Sequence, residues 1–319
     1  MTHLPIRSAG PLALAFVLSL AACTPSVHGA SSPPAPALTP AQKAAADTAA
    51  AARTATGNSI EAARAAFRRN AEPAVTAALA AARSSAGTNA DLLDSVALAD
   101  AGLRVERGDL PGAASLVLER LHAAERAHRV NEVNLHDRLI FIEEAQGDYL
   151  AAYLEAVEMR SALEREPPPW SARDRQGNYW QRAHTLRRLA ATLKGDARTS
   201  ALLYAREARD EFEALARQSG HALESIVLLD EERAALDGRC DEALKLAHSL
   251  KVEDLDPQDL YTTSFVFQTC GDDATARALR QRIAANAELD LFHAVYRYMA
   301  RRADEASPPS AARAPGAAP

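Results

Sequence analysis

Apolar residues recur every three or four positions along most of this chain, which is the spacing of a helix with one buried face. Leu150, Tyr153, Leu154 and Val157 are one example, at positions i, i+3, i+4 and i+7. Val, Ile and Thr do not gather into alternating runs of strand length. Alanine is abundant, and it loses little side-chain entropy in a helix. The pattern therefore predicts an all-α fold whose helices pack closely.

A short turn separates consecutive helical segments. Glycine suits the left-handed residue that ends one helix, and aspartate caps the amides that open the next. The turns are Gly108-Asp109, Gly147-Asp148, Gly195-Asp196, Gly238-Arg239 and Gly271-Asp272. A small side chain follows each glycine by five residues, at Ala113, Ala152, Ser200, Ala243 and Ala276. Small residues there let two helices approach closely, so the sequence predicts a series of helical hairpins.

This arrangement resembles the tetratricopeptide-like family of helical-hairpin solenoids, over about Asp91 to Ala300. The glycines are unevenly spaced, and only one interval is near the family's period of about 34 residues. Ala101 suits the small family position before Gly108, but Ile140, Arg188 and Glu231 occupy that position later. Degenerate repeats of different length explain these departures, and an irregular helical bundle explains them too.

The resemblance implies that the first helix of each hairpin lines a concave groove, which would hold a peptide or a partner helix. We locate the groove-lining positions in each first helix by their distance in sequence from the turn glycine. The expected groove residues are Asn134, Asp137, Phe141, Arg182, Gln258, Tyr261 and Phe265.

The N-terminus has the features of an export signal. Arg7 precedes an apolar run, Pro11 to Ala22, that is too short to span a membrane. Leu20-Ala21-Ala22-Cys23 resembles the lipobox of bacterial lipoproteins. The resemblance implies removal of residues 1–22 and acylation of Cys23 with chains such as palmitate. An ordinary signal peptide with a chance cysteine is the alternative.

The rest of the chain divides by composition. Residues 23–38 comprise the lipidated cysteine and a Pro/Ala/Ser-rich tether, and residues 39–305 are expected to form the helical repeat domain. Residues 306–319 are Ala/Pro-rich and are expected to be disordered. Thr39-Pro40 and Asp256-Pro257 each predict a helix start.

The last predicted helix begins at about Ala287 and is expected to cap the final repeat. Arg297, Arg301 and Arg302 lie towards its C-terminus, where positive charge complements the helix dipole.

Composition and anchor together limit the partners. The chain has 36 Lys and Arg against 42 Asp and Glu, and this mild acidity argues against nucleic-acid binding. Membrane contact is expected through the lipid anchor only. Thr24, and not aspartate, follows the cysteine. The resemblance to bacterial lipoproteins therefore implies that the anchored protein is located at the outer membrane, on the side facing the periplasm.

The two remaining cysteines lie at predicted turns. Cys240 follows Gly238 by two residues, and Cys270 directly precedes Gly271. Turns of neighbouring hairpins lie side by side in a solenoid, and the periplasm is oxidising, so we expect a disulfide. Two unpaired thiols are the alternative.

The stretch 167–182 is the least repeat-like part of the helical region. It contains both tryptophans, Trp170 and Trp180, together with Tyr179 and Arg182. Tryptophan and arginine are enriched at the energetic centres of protein interfaces, so these residues are candidates for partner binding. Packing of the tryptophans onto the solenoid is the other interpretation.

No catalytic, metal or cofactor motif is recognised. His122 and His128 are six residues apart and do not share a helix face, and no His-Glu-x-x-His motif is present. Glu224-Ser225 resembles the catalytic pair of peptidoglycan-cleaving enzymes that carry alanine-rich helical superstructures. The following residues 226–229 are all apolar, which favours a buried helix face and not that family's loop.

The sequence as a whole predicts a non-catalytic lipoprotein without cofactors. It would act as an adaptor or assembly factor for another envelope or secreted protein. The alternatives are an immunity or inhibitor lipoprotein that neutralises a periplasmic toxin, and a peptidoglycan-processing enzyme or its regulator.

The anchor yields the first testable prediction. The Cys23→Ala variant lacks the acylated side chain, so it should leave the membrane fraction and appear as a soluble protein. Fractionation of cells that express each form measures this. Unchanged membrane association of the variant would contradict the lipoprotein interpretation.

Overall fold

The computed structural model describes residues 39–127, 129, 131–165, 172–219 and 224–306. These ranges contain α-helices and no strand, in agreement with the all-α prediction. A short 3-10 helix, Val252–Asp254, precedes the eleventh α-helix. The α-helices are α1 (Pro40–Arg68), α2 (Glu72–Ala86), α3 (Ala90–Glu106), α4 (Leu110–Arg126), α5 (Glu132–Gln146), α6 (Tyr149–Arg165), α7 (Ala172–Thr192), α8 (Gly195–Ser219), α9 (Glu224–Leu236), α10 (Cys240–Ala247), α11 (Pro257–Thr269), α12 (Asp273–Ala284) and α13 (Leu291–Ala306).

Several sequence predictions fall outside the described residues. They are the signal peptide, the lipobox with Cys23, the tether, Trp170 and the tail from residue 307.

Both helix starts predicted from a cap followed by proline are confirmed. The Thr39 hydroxyl accepts a hydrogen bond from the Gln42 amide at 3.3 Å, and the Gln42 side chain accepts one from the Thr39 amide at 2.9 Å. Asp256 accepts a hydrogen bond from the Asp259 amide at 3.0 Å at the start of α11. Each cap satisfies amides that the first helical turn leaves without a partner.

The predicted turns also form. Their glycines have φ angles between 57° and 86°, in the left-handed region that other residues rarely adopt. The carboxylates of Asp109, Asp148 and Asp272 each accept a hydrogen bond at 3.0 Å from an amide three residues later. Each turn therefore ends one helix and opens the next.

One turn differs from the prediction. The structure begins α8 at Gly195 itself, so Asp196 lies inside the first helical turn. The buried face of α8 is shifted by one residue as a result. Ser200, which was expected at the helix contact, is exposed, and Ala201 is buried in its place.

Sequence neighbours pack as hairpins: α1 with α2, α3 with α4, and so on to α11 with α12. The contacts use the predicted small residues, since Ala113, Ala152, Ala243 and Ala276 are all fully buried. From α3 onward, the first helix of each hairpin is more buried than the second helix that follows it, and so lies further inside the molecule. This inner position is evident in α5, where ten side chains from Glu132 to Glu144 are buried.

The last helix closes the chain on itself. Helix α13 packs against α11 and α12, as a terminal cap would, but also against α3 and α5. A Cβ atom added to Gly102 of α3 would lie 3.1 Å from the backbone nitrogen of Leu291. Glu106 of α3 binds Arg297 at 2.6 Å and Arg301 at 3.0 Å. These two arginines thus bind a distant carboxylate, in addition to lying near the end of their own helix.

A disulfide links two neighbouring hairpins. Cys240 begins α10 and Cys270 ends α11, and their Cα atoms are 5.2 Å apart. The pairing is the one expected from the two turn positions. It closes a loop with a sequence separation of 30 residues. In the chain-entropy model such a cross-link stabilises the fold by about 3 to 4 kcal/mol.

The contact at Gly102 yields a prediction about closure. The Gly102→Val variant would push its side chain into the backbone at Leu291, so it should lower the free energy of unfolding by about 1 to 3 kcal/mol. Urea unfolding monitored by circular dichroism measures this change.

Gly177, inside α7, provides the matched control. No atom outside its own helix surroundings lies within 4 Å of a Cβ placed there. The Gly177→Ala variant should therefore gain about 1 kcal/mol from helix propensity alone. Equal tolerance of both substitutions would contradict the close approach of α13 to α3.

Candidate functional site

Helix α13 packs against α5 and α11, two of the helices that were expected to line the groove. The ring of Phe141 lies 5.3 Å from the ring of Phe292 and 5.9 Å from that of Tyr296, between centroids. Tyr261 lies 6.1 Å from Tyr296. Phe141 is only 4% exposed. In this structure a helix of the same chain therefore occupies the place where a partner of Phe141 was expected, and the partner contact itself stays a prediction.

Gln258 and Phe265 of α11 also lie inside. Gln258 is buried and donates a hydrogen bond from Nε2 to Oε1 of Gln181 at 3.2 Å. The guanidinium of Arg188 lies over the Phe265 ring at 3.5 Å from its centroid, as in a cation–π contact. Gln258 is thus a core residue in this structure, and its expected contact with a partner stays a prediction.

Trp180 packs against the helices of its own chain. Its ring stacks on His184 with centroids 5.1 Å apart, and its Nε1 donates to the Ser225 carbonyl at 3.3 Å. The packing interpretation therefore applies to this tryptophan. Tyr179 is only half-buried, and Arg160 and Arg182 lie over its ring at 5.1 and 5.7 Å.

Asn134 and Asp137 of α5 are the predicted groove residues that keep partial exposure on this helix. Asn134 donates a hydrogen bond to the side-chain oxygen of Asn131 at 3.3 Å, and Asp137 lies 3.7 Å from Arg138. Both can reach solvent, so their proposed contact with a partner stays a prediction.

Charged residues gather where α5, α7 and α9 meet. We call this group the central charge cluster: Glu144, His184, Arg188, Glu231 and Glu232. Glu232 lies 3.0 Å from Nδ1 of His184 and 2.5 Å from Nε of Arg188. Glu144 accepts a hydrogen bond from Gln181 at 2.8 Å and lies 3.8 Å from Nε2 of His184. The charges therefore connect three first helices.

Burial and neighbouring charges separate the two acids of this network. Burial raises the pKa of Glu144 to about 7, because the opposing charges of His184 and Arg188 only partly offset it. Burial also favours a higher pKa for Glu232. The opposing charges of His184 and Arg188 have the larger effect, however, and lower the pKa of Glu232 to about 2. Near neutral pH Glu232 is therefore ionised, and Glu144 is close to half-protonated.

Glu231 has a different environment from its neighbour Glu232. Its Oε1 accepts a hydrogen bond from the Thr263 hydroxyl at 2.8 Å, while Oε2 is buried without a hydrogen-bond partner. Burial raises the pKa of Glu231 to about 8. Its protonated form is therefore the stable one in the folded protein at neutral pH.

Two carboxyl groups with separated pKa values are also the arrangement that acid–base catalysis uses. Glu144 and Glu232 are 2% and 0% exposed, so neither presents a carboxyl group to a substrate in this conformation. What the cluster does here is hold three inner helices together through buried ion pairs.

The sequence contains one signal for this cluster. Arg188 and Glu231 stand at the position where the resembled family has a small residue, on successive first helices. Charged residues at these equivalent positions indicate a buried group of charges, although the ion pair that forms joins Arg188 to Glu232 and not to Glu231.

The largest exposed apolar side chains lie on second helices. Leu150 and Leu154 of α6 are 53% and 54% exposed, and Leu203 and Tyr204 of α8 are 54% and 53% exposed. We call these four residues the outer apolar surface. The apolar stripe at Leu150 and Leu154 was expected to be buried, which is wrong. Helix α6 instead buries a stripe of mostly smaller side chains, at Ala152, Ala156, Met159 and Leu163.

Comparison with known proteins gives no assignment. No protein-family model matches the chain, and no curated protein matches it. Among the described residues, no helix combines the length and apolar character that a bilayer crossing requires.

The central charge cluster yields a prediction of opposite pH dependences. Folding holds the proton of Glu231 more tightly than the unfolded chain does, so the wild type loses stability as pH rises from about 4.5 to 8. Glu231→Gln avoids this ionisation. It should match the wild type at pH 5 and exceed it by roughly 2 to 4 kcal/mol at pH 9.

Glu232→Gln is the matched control on the adjacent residue. Ionised Glu232 stabilises the fold above pH 4.5, and this contribution is lost as pH falls towards 2. Glu232→Gln should therefore destabilise the protein at pH 7, by about 3 to 5 kcal/mol. Thermal unfolding of both variants across pH measures this, and parallel pH profiles would contradict the assignment.

Proposed function

We propose that this chain is a membrane-anchored envelope lipoprotein that binds another protein without catalysis. Its helical hairpins, which resemble tetratricopeptide-like repeats, serve as a rigid support. The lipobox at Leu20–Cys23 and the tether of residues 24–38 support the anchor. The proposed location is the outer membrane, facing the periplasm.

The outer apolar surface is the observation that carries the binding proposal. An exposed leucine gains about 1.5 to 3 kcal/mol when it is fully buried. Exposed apolar side chains that lie near one another often mark protein contacts, whereas isolated ones are ordinary. Here two pairs lie on α6 and α8, the helices that flank α7.

Both pairs lie on helices that pack against α7. Tyr153, between Leu150 and Leu154 on α6, packs against a core cluster of Leu186 and Ala190 from α7 and Ala201 and Ala205 from α8. The half-exposed Tyr179 of α7 lies under the guanidinium groups of Arg160 and Arg182.

The inner surface is a poorer candidate for the same role. The groove expected from the resemblance is occupied by α13, whose Phe292 and Tyr296 are buried against Phe141. A partner helix would have to displace this core helix and its ion pairs. A partner at the outer surface covers leucines that water already contacts, so it needs no rearrangement.

Site-specific photocrosslinking in living cells tests the proposal. A photoreactive residue at Leu154 should give a defined adduct with one envelope or secreted protein. Ala278 is exposed on α12 and serves as the control position. It should give no such adduct. Equal labelling from both positions, or none from either, would contradict binding at the outer apolar surface.

A variant pair gives the same test without a probe. Leu154→Glu places a charge in the outer apolar surface and should abolish capture of the crosslinked protein. Ala278→Glu makes the matched change on α12 and should leave capture intact. Both substitutions are at exposed positions, so the thermal unfolding of each should stay near that of the wild type.

A further inference from the structure

A histidine and three glutamates meet where α4, α5 and α6 come together. Glu125 is on α4, Glu132 and His136 are on α5, and Glu155 is on α6. One ligand atom from each of Glu125, Glu132 and His136 lies within 4.8 Å of the others. The group is separate from the central charge cluster and from the outer apolar surface.

The two ring nitrogens of His136 have different environments. Nδ1 lies 2.7 Å from Oε2 of Glu155, within hydrogen-bond distance. Nε2 is buried without a hydrogen-bond partner, and the residue is only 2% exposed. The nearest carboxylate on that side is Glu132, at 3.9 Å from Nε2. The ring is therefore fixed through one nitrogen and directs the other towards Glu132 and Glu125.

This is the way in which proteins orient a histidine that binds a metal ion. A second carboxylate accepts a hydrogen bond from Nδ1–H, which keeps the proton on Nδ1 and leaves the lone pair of Nε2 for the metal. Glu132 and His136 are four residues apart, so both lie on one face of α5. Zinc bonds of 2.0 to 2.2 Å would bring neighbouring ligand atoms to about 3.3 Å from each other. Binding would therefore need side-chain rotations that shorten the present separations, which are 3.9 Å between Nε2 and Glu132 and at most 4.8 Å within the whole group.

We propose that Glu125, Glu132 and His136 bind a divalent transition-metal ion of the Zn²⁺ type, with Glu155 as a positioning residue. The donors are one imidazole nitrogen and two carboxylates, which suit Zn²⁺ and its neighbours in the first transition row. The ion would join the end of α4 to the start of α5. Three protein ligands leave one tetrahedral position for water or for a group from another molecule.

A second group of potential ligands supplies a control. Glu288, Asp290 and His293 also lie within 4.8 Å of one another. There, Nδ1 of His293 lies 2.6 Å from Asp290, which also accepts a hydrogen bond from the His293 amide at 3.1 Å. Asp290 thus acts as the cap of α13, and Glu288 is exposed. We expect no metal ion at this group.

Calorimetric titration of the full chain, purified in detergent without an affinity tag, tests the proposal with ZnCl₂ alone. The wild type should bind one equivalent and unfold at a higher temperature when zinc is present. Glu125→Gln changes a half-exposed side chain, so the protein should fold normally and bind zinc at least tenfold more weakly. Glu155→Gln should weaken binding by about 10- to 100-fold through the loss of the outer carboxylate.

His136→Ala should abolish binding, and His293→Ala should leave the stoichiometry and affinity unchanged. If His136→Ala does not fold, Glu125→Gln and Glu155→Gln decide the result. Absence of zinc binding by the wild type would overturn the proposal. So would unchanged affinity in Glu125→Gln and Glu155→Gln, or loss of the zinc site in His293→Ala.

Discussion

The contact between α13 and α3 determines which side chains of the inner helices are buried. Glycine at position 102 lets the two backbones approach, and Glu106 accepts both Arg297 and Arg301 from the last helix. Only with α13 in this position do Phe292 and Tyr296 reach the ring of Phe141. An open solenoid would leave these aromatic side chains in water, so their burial and the closure support each other.

Closure changes the chemistry of the inner surface. Side chains that would line a wet groove become buried, and their charges have to be paired or neutralised. Glu232 is paired with Arg188 and His184 and stays ionised, whereas Glu231 has only the Thr263 hydroxyl and keeps its proton. The surface that we propose for a partner is on the second helices, where Leu150, Leu154, Leu203 and Tyr204 are exposed.

Features that depend on neighbouring residues could be predicted from the sequence. Features that depend on contacts between distant parts of the chain mostly could not. Turn glycines, proline-led caps and the two cysteines act over a few residues, so the helices, hairpins and disulfide could be anticipated. The exposed face of α6 could not be predicted in this way, because Ala152 and Ala156 are buried and the larger leucines beside them are not. The Glu106–Arg297 pair joins residues 191 apart in sequence, and no periodicity indicates it. Glu132 and His136 were visible as an i, i+4 pair, but their partners on α4 and α6 were not.

A double-mutant cycle between Glu106 and Arg297 measures whether α13 is docked on α3. Both side chains are nearly buried, at 8% and 6% exposure, and their charged atoms are 2.6 Å apart. The free energy of unfolding should be measured for the wild type, Glu106→Gln, Arg297→Met and the double variant. We expect a coupling energy of about 1 to 3 kcal/mol, typical of residues in one buried network. Additive effects, within about 0.5 kcal/mol, would show that the two side chains are not in contact and would contradict the docking of α13 on α3.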